Sequence, residues 1–157
     1  MTDTSYPKFF RISSGKGYSK HQLVAFDNAL INAGISNYNL LKVSSILPIG
    51  CKQLEAVNLK KGSPLLTAYA TISSNTPGER IATAVAVGIP SNLDDIGIIM
   101  EYGEIGVAKH AEEVVREMVA ESMLSHGIDY SEIASSSIDG VIDNEGYLSL
   151  ISAIVLW

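Results

Sequence analysis

Cysteine occurs once, at Cys51, so no disulfide can form within the chain. Such sparing use of cysteine fits a reducing compartment, and the cytoplasm is the expected location. Basic charge is also scarce. Eleven Lys and Arg face seventeen Asp and Glu, for a net charge of −6. A chain of that sign is a poor partner for nucleic acid or an anionic membrane surface. The start, "MTDTSYPKFFRISSGKG", lacks the apolar core of a signal peptide. The closing "YLSLISAIVLW" is apolar but too short to cross a bilayer as a helix, and it reads as a buried strand. No membrane partner is expected.

Familiar chemical signatures are missing too. His21, His110 and His126 are scattered and Cys51 has no partner at ligand spacing, so no metal site is expected. "SGKG" is too short to be a phosphate-binding loop of the GxxxxGK[ST] type. Nothing has the form of a nucleophile elbow. There is no linker, internal repeat or low-complexity stretch, and residues 1–157 read as one domain. What is abundant is apolar residues: 46% of the chain, against 18% charged. That is more apolar surface than a domain of this size needs for its own core, so an oligomer is expected.

Local patterns predict an order β-α-β-β-β-β-α-β-β. "PKFFRIS" reads as a first strand, broken by "GKG". Ser19 and Gln22 have capping-box spacing for a helix to about Ala33, closed by Gly34. "YNLLKVSSILP" reads as one strand ending at Pro48, followed by a surface loop with at most a short strand. "PLLTAYATIS" and "ERIATAVAVGIP" flank the turn-rich "SNTPG" and predict a hairpin. Their small residues, Ala68, Ala70, Ala82, Ala84 and Ala86, suit close packing on a sheet or helix. "DIGIIMEY" is a further strand. Ala111, Val114, Val115, Met118 and Val119 recur at helical spacing up to a stop at Gly127. "SEIASSSID" and "YLSLISAIVLW" complete the chain. Runs of strands with only two long helices predict an α+β fold with mainly antiparallel sheets.

Three positions carry possible chemistry. Asp27 falls with Leu23, Phe26 and Leu30 on an apparent apolar stripe of the first helix. An acid there either pairs with a lysine at the stripe edge or holds a cationic ligand. Glu101 ends the apolar run "GIIM". It is either an exposed strand terminus or a desolvated carboxyl that exchanges a proton near neutral pH. Ser44 and Ser45 interrupt an apolar strand pattern. Their hydroxyls either satisfy backbone carbonyls or serve a specific reaction. In that reaction the Ser45 hydroxyl attacks the carbonyl of Ser44, the amide becomes an ester, and β-elimination cuts the chain. The new terminus becomes a pyruvoyl ketone, a covalent electron sink. Asn39, five residues earlier, carries an amide able to polarise a carbonyl.

In this combination the chain resembles the pyruvoyl-dependent arginine decarboxylase family. The likeness runs through "AFDNALINAGISNYNLLKVSSILP", "PLLTAYATISSNTPGERIATAVAVGIP", "GIIMEYGEIGVAKHAEEVVREM" and the final "IVLW". It implies a layered α-β-β-α sandwich, assembly as a homotrimer or a multiple of one, and active sites between neighbouring subunits. It implies self-cleavage between Ser44 and Ser45, giving residues 1–44 and 45–157. The cofactor would be the pyruvoyl group made from Ser45, with neither metal nor pyridoxal phosphate. Arginine would form a Schiff base with the ketone, lose CO₂ and leave as agmatine. Carried over by motif, Asn39 would assist at the cleavage and active site, and Glu101 would donate the proton. Asp27 would contact the substrate guanidinium and Leu23 would line the same pocket. Ser36 and Tyr38 depart from the aliphatic or small residues expected in "GISNYN", at the substrate's distal end. They leave room for another amino acid such as histidine as substrate. An uncleaved homologue that only assembles and binds a ligand is the alternative of a different class.

Overall fold

The order of elements follows from where the chain can turn and what each strand can bury. The computed structural model describes residues 6–143 and 145–157. In chain order the elements are β1 (Phe9–Ser19), α1 (Gln22–Ala33), β2 (Asn39–Lys42), β3 (Ile46–Leu47) and β4 (Lys52–Gln53). Then come β5 (Pro64–Ser74), β6 (Arg80–Pro90), β7 (Gly97–Ile105), α2 (Ala108–Ser125), β8 (Tyr130–Val141) and β9 (Tyr147–Leu156). One sheet has the strand order β2-β5-β9-β1-β4, the other β3-β7-β6-β8. Pairing is antiparallel except for β2 with β5 and β1 with β4.

Three apolar layers hold these elements together. Phe10, Leu47, Ala68, Val85, Ile99 and Ile154 pack between the sheets. α1 covers the outer face of the first sheet through Ala29, Leu30 and Ala33. α2 covers the second through Ala111, Val115, Val119 and Met123, which rest on Ala82, Ala84 and Ala86 of β6. The α+β sandwich with helices outside two sheets is therefore present. β6 and β9 are buried on both faces, which is why they read as largely apolar runs without polar alternation.

Four local expectations need correction. "GKG" does not break β1, which runs on to Ser19. Its glycines are a seam on which α1 lies. A Cβ on Gly15 would come within 2.3 Å of the Ala29 carbonyl oxygen, and one on Gly17 within 2.5 Å of the Ala25 oxygen. Because the strand continues, the Ser19–Gln22 capping box does not form. The Ser19 hydroxyl accepts the His21 N–H, and His21 precedes the helix without a side-chain cap. Gly34 does end α1, with φ +76°, and Arg11 donates to the freed Ala33 carbonyl at 2.9 Å.

The second pair of corrections concerns topology. β5 and β6 are not a hairpin: β5 pairs with β2 and β9, β6 with β7 and β8. "SNTPG" instead carries the chain from one sheet to the other. A tight turn between two alternating strands looks the same locally whether it closes a hairpin or an arch. "YNLLKVSSILP" is likewise two strands, β2 in the first sheet and β3 in the second, with Ser44 and Ser45 in the crossing.

The glycine seam yields a stability prediction. Gly17→Val should lower stability by about 3 kcal/mol or more, because the atoms in the way are backbone of α1 and cannot step aside. Gly103→Ala meets nothing closer than 3.6 Å and should cost under about 1 kcal/mol. Urea midpoints of the two variants check the contrast.

Candidate active site

The crossing at Ser44–Ser45 is where the two sheets meet. β2 is held to β5 through Val43, whose N–H donates to the Thr67 carbonyl. One residue later Ser44 is exposed and Ser45 half-buried at a bend. The Ser45 carbonyl accepts the Ile99 N–H at 2.7 Å, so Ser45 is already docked on β7 before β3 begins. Two residues along β7 stands Glu101, in register with Val85 of β6. Alternation puts Glu101 on the same face as Ile99, toward the other sheet. The carboxyl is half-buried. Desolvation raises its pKa above the ordinary glutamate value, and the Lys42 ammonium pulls it part of the way back.

Lys42 points away from the sheet edge onto an aromatic face. Its ammonium lies 4.8 Å from the centroid of the Tyr69 ring on β5. Tyr69 is also a wall of an open cavity of about 540 Å³ between α1 and β5, lined by Gln22, Leu23, Phe26, Tyr69, Thr71 and Ser73. Leu40 and Tyr69 belong to the cluster under α1, so Lys42 and the cavity, with Leu23 on its far side, lie on the outer face of the first sheet, whereas Glu101 faces between the sheets.

The other candidate residues are placed less directly. The buried face of α1 is Ala25, Ala29, Leu30 and Ala33, with Phe26 beside it. Asp27 is therefore not on the buried stripe. It is exposed on the outer face, between Leu23 (78% exposed) and Ile31 (55% exposed). Four-residue spacing puts these three side chains in one row. Asn39 opens β2, and its side-chain amide donates to the Gly62 carbonyl at 2.9 Å. An extended strand separates Asn39 from Val43 by roughly 13 Å, so that amide does not reach Ser44 of its own chain. Ser36 is half-buried in the α1–β2 connection. Tyr38 packs against the α1 core and its hydroxyl reaches the carbonyls of Val57 and Leu59. Neither Ser36 nor Tyr38 lines the cavity.

Lys42 and Tyr69 escaped the sequence reading. Lys42 is the single charge in "NLLKVSSILP", a signal that only its neighbours in space make meaningful. Tyr69 is unremarkable in sequence because the β2–β5 pairing alone sets it beside Lys42.

Residues 9–157 match the family model described as pyruvoyl-dependent arginine decarboxylase. The chain belongs to that family. A protein of Methanococcus aeolicus named pyruvoyl-dependent arginine decarboxylase is 36% identical over 151 residues, which span 96% of this chain and 90% of the relative. A protein of that name from Methanocaldococcus jannaschii is 35% identical over 151 residues, again 96% of this chain and 90% of the relative. A third, from Thermococcus kodakarensis, is 38% identical over 134 residues, or 85% of each chain. Ser45 is the residue of the crossing that is bonded to β7. It stands outside the regular strands with its own carbonyl fixed by Ile99. Among the described residues no helix is long and apolar enough to cross a membrane.

Proposed function

We propose that this chain is a self-processing decarboxylase that converts L-arginine to agmatine and CO₂ using a pyruvoyl group made from Ser45. The observation that carries this reading is the docking of Ser45 onto β7 two residues from a desolvated acid, Glu101. Family membership and the names of the relatives support it.

Maturation begins with the Ser45 hydroxyl, which attacks the Ser44 carbonyl carbon. The C–O bond forms as the Ser44–Ser45 C–N bond breaks, and the freed nitrogen takes the hydroxyl proton. Loss of the Ser45 α-proton then expels the ester oxygen from Cβ. Residues 1–44 leave with a C-terminal carboxylate, and residue 45 becomes dehydroalanine. Water replaces its nitrogen, releasing ammonia and leaving the ketone at the new terminus. The Ile99 N–H holds the Ser45 carbonyl throughout, so the reacting residue keeps its place as the chain is cut. In this reading Asn39, out of reach of its own Ser44, polarises the Ser44 carbonyl of a neighbouring copy.

When present, the pyruvoyl group supplies a ketone that takes the substrate amine and draws off the electrons left by departing CO₂. The protein's share is orientation and a proton. Glu101, whose pKa desolvation raises above the ordinary glutamate value, delivers its proton to the substrate Cα. Leu23 and Phe26 cover the aliphatic part of arginine, and Asp27 pairs with its guanidinium. Asp27 is exposed between aliphatic side chains, as expected of a residue covered by a second subunit. A homotrimer with its sites between subunits, in the cytoplasm, completes the reading.

The deciding experiment uses the wild-type chain. Denaturing mass spectrometry should show two fragments, residues 1–44 and 45–157, and arginine should yield agmatine faster than histidine yields histamine. An intact chain with no turnover would sink the enzyme reading and leave a ligand-binding assembly. Faster turnover of histidine would keep the chemistry and replace the substrate.

A further inference from the structure

The crossing between the sheets is tied by one backbone bond on each side. Val43 N–H donates to the Thr67 carbonyl on β5, and Ile99 N–H of β7 donates to the Ser45 carbonyl at 2.7 Å. Between these bonds, the Ser44 carbonyl and the Ser45 N–H have no backbone partner among the described residues. Ser45 stands just before β3, which joins β7 with Ile46 opposite Ile98. A full hydrogen-bonded antiparallel pair would exchange two bonds. Here only the bond to the oxygen is made. Ser45 is thus docked by one half: its carbonyl is held, and its nitrogen, the atom that maturation expels, is free. Ile99 is fully buried, so its N–H acts where water screens it little.

That held oxygen is where negative charge gathers in the function proposed above, on which the inference rests. Loss of the Ser45 α-proton leaves an electron pair on Cα, beside this carbonyl. The pair spreads onto the carbonyl oxygen, then returns and expels the ester oxygen from Cβ. In turnover the bond between the substrate Cα and its carboxyl breaks, and CO₂ leaves. The electron pair stays behind and is drawn through the substrate nitrogen and residue 45 onto the same oxygen, until a proton reaches Cα. A fixed N–H already at hydrogen-bond distance stabilises such charge without rearranging as it forms. We propose that the Ile99 N–H is an oxyanion donor, which stabilises negative charge on the residue-45 carbonyl oxygen both in maturation and in decarboxylation. The alternative is a bond that merely holds the crossing. That is all the Val43 bond can do, because it touches neither Ser44 nor Ser45.

The test replaces each donor N–H by an oxygen in the full chain. The α-hydroxy acid of isoleucine at position 99, or that of valine at position 43, is introduced at a nonsense codon, turning one backbone amide into an ester. Maturation is then sampled with hydroxylamine. The reagent cuts the ester intermediate after Ser44 and leaves serine at the new terminus. Mass separates that fragment from the pyruvoyl-terminated one and from any cut at the introduced ester. Without the Ile99 donor the α-proton step should slow, so the serine-terminated fragment should build up. The chain altered at 43 should show no such build-up, whatever its overall rate. After processing, kcat for arginine should be lower in the chain altered at 99 than in the chain altered at 43, on the order of 10²-fold. No build-up, or equal turnover in the two chains, would overturn the inference. Wild-type enzyme gives an independent reading that does not depend on how the altered chains fold. With labelled isoleucine, the Ile99 amide followed by NMR should stay protected from hydrogen exchange after cleavage. Exchange at the rate of an unbonded amide would overturn the inference too. A wild type that yields neither fragments nor agmatine would overturn the function itself, whereas a working wild type with matched altered chains removes the donor alone.

Discussion

Ser45→Ala should give a single uncleaved chain with no agmatine above background, while Ser44→Ala should still cleave. The asymmetry comes from what each residue supplies. On the proposed reading, Ser45 provides the attacking oxygen, the α-proton lost in elimination and the carbon skeleton of the ketone. Ser44 provides only a carbonyl, which alanine has too. The crossing between the sheets should survive both changes. It is held by backbone contacts, Val43 N–H to Thr67 and Ile99 N–H to Ser45, that do not use either hydroxyl. Ser45 is also only half-buried, so losing its hydroxyl opens no large cavity. Thermal midpoints of both variants should therefore match that of the unprocessed chain, and mass spectrometry with an agmatine assay separates chemistry from folding. Cleavage in Ser45→Ala would remove that hydroxyl as the nucleophile. Failure of Ser44→Ala with normal stability would mean that the Ser44 hydroxyl takes part in polarising the scissile bond.

How far the sequence foretold this site depends on the range of the contacts involved. The desolvated setting of Glu101 was legible because it depends on a local property, the apolar run "GIIM", which delivers the carboxyl into a half-buried position. The long helices were legible for a similar reason, since α2 shows its buried row at helical spacing. The α1 stripe misled because a helix resting on glycines needs only alanines on its buried face. Ala25, Ala29 and Ala33 do the packing, and the larger Leu23, Val24 and Ile31 are left outside. By size alone the outer row looks like the core. The glycine seam itself was mistaken for a strand end, because glycine marks both turns and close approaches. The assignment of β5 and β6 to different sheets, the split of β2 from β3, and the meeting of Lys42 with Tyr69 are all set by pairings between distant segments. No local pattern encodes them.

The same crossing explains why an adjacent serine pair belongs here. Within a continuous strand, one of two neighbouring hydroxyls would face a core and need a partner. Between β2 and β3 there is no such demand, because the chain is passing from the edge of one sheet to the edge of the other. Small polar residues make the bend without a packing loss. At that edge Ser44 is exposed, so the bond stands open to the surface.

Glu101→Gln should still cleave, and its kcat for arginine should fall by about 10²–10⁴-fold, the usual worth of a general acid. Glutamine keeps the shape of the side chain and can donate a hydrogen bond, yet it has no proton to give to Cα. Cleavage draws on the Ser45 hydroxyl and the Ser44 carbonyl and needs no acid of this kind. The pH profile adds a second signature. Burial raises the Glu101 pKa above its unfolded value, so the folded protein holds this proton to higher pH than the unfolded chain does. Activity that depends on that proton is present below the folded pKa and lost as pH rises through it. Any stability gained from the raised pKa follows the same direction, full below the unfolded pKa and lost as pH rises through the folded one. Wild type should therefore show an alkaline fall in kcat that the residual activity of Glu101→Gln lacks, measured as initial rates of CO₂ release on fully processed enzyme. Near wild-type turnover in Glu101→Gln would assign the proton to water or another group. An unchanged alkaline fall in the variant would assign the titration elsewhere, and a failure to cleave would move Glu101 from turnover into maturation.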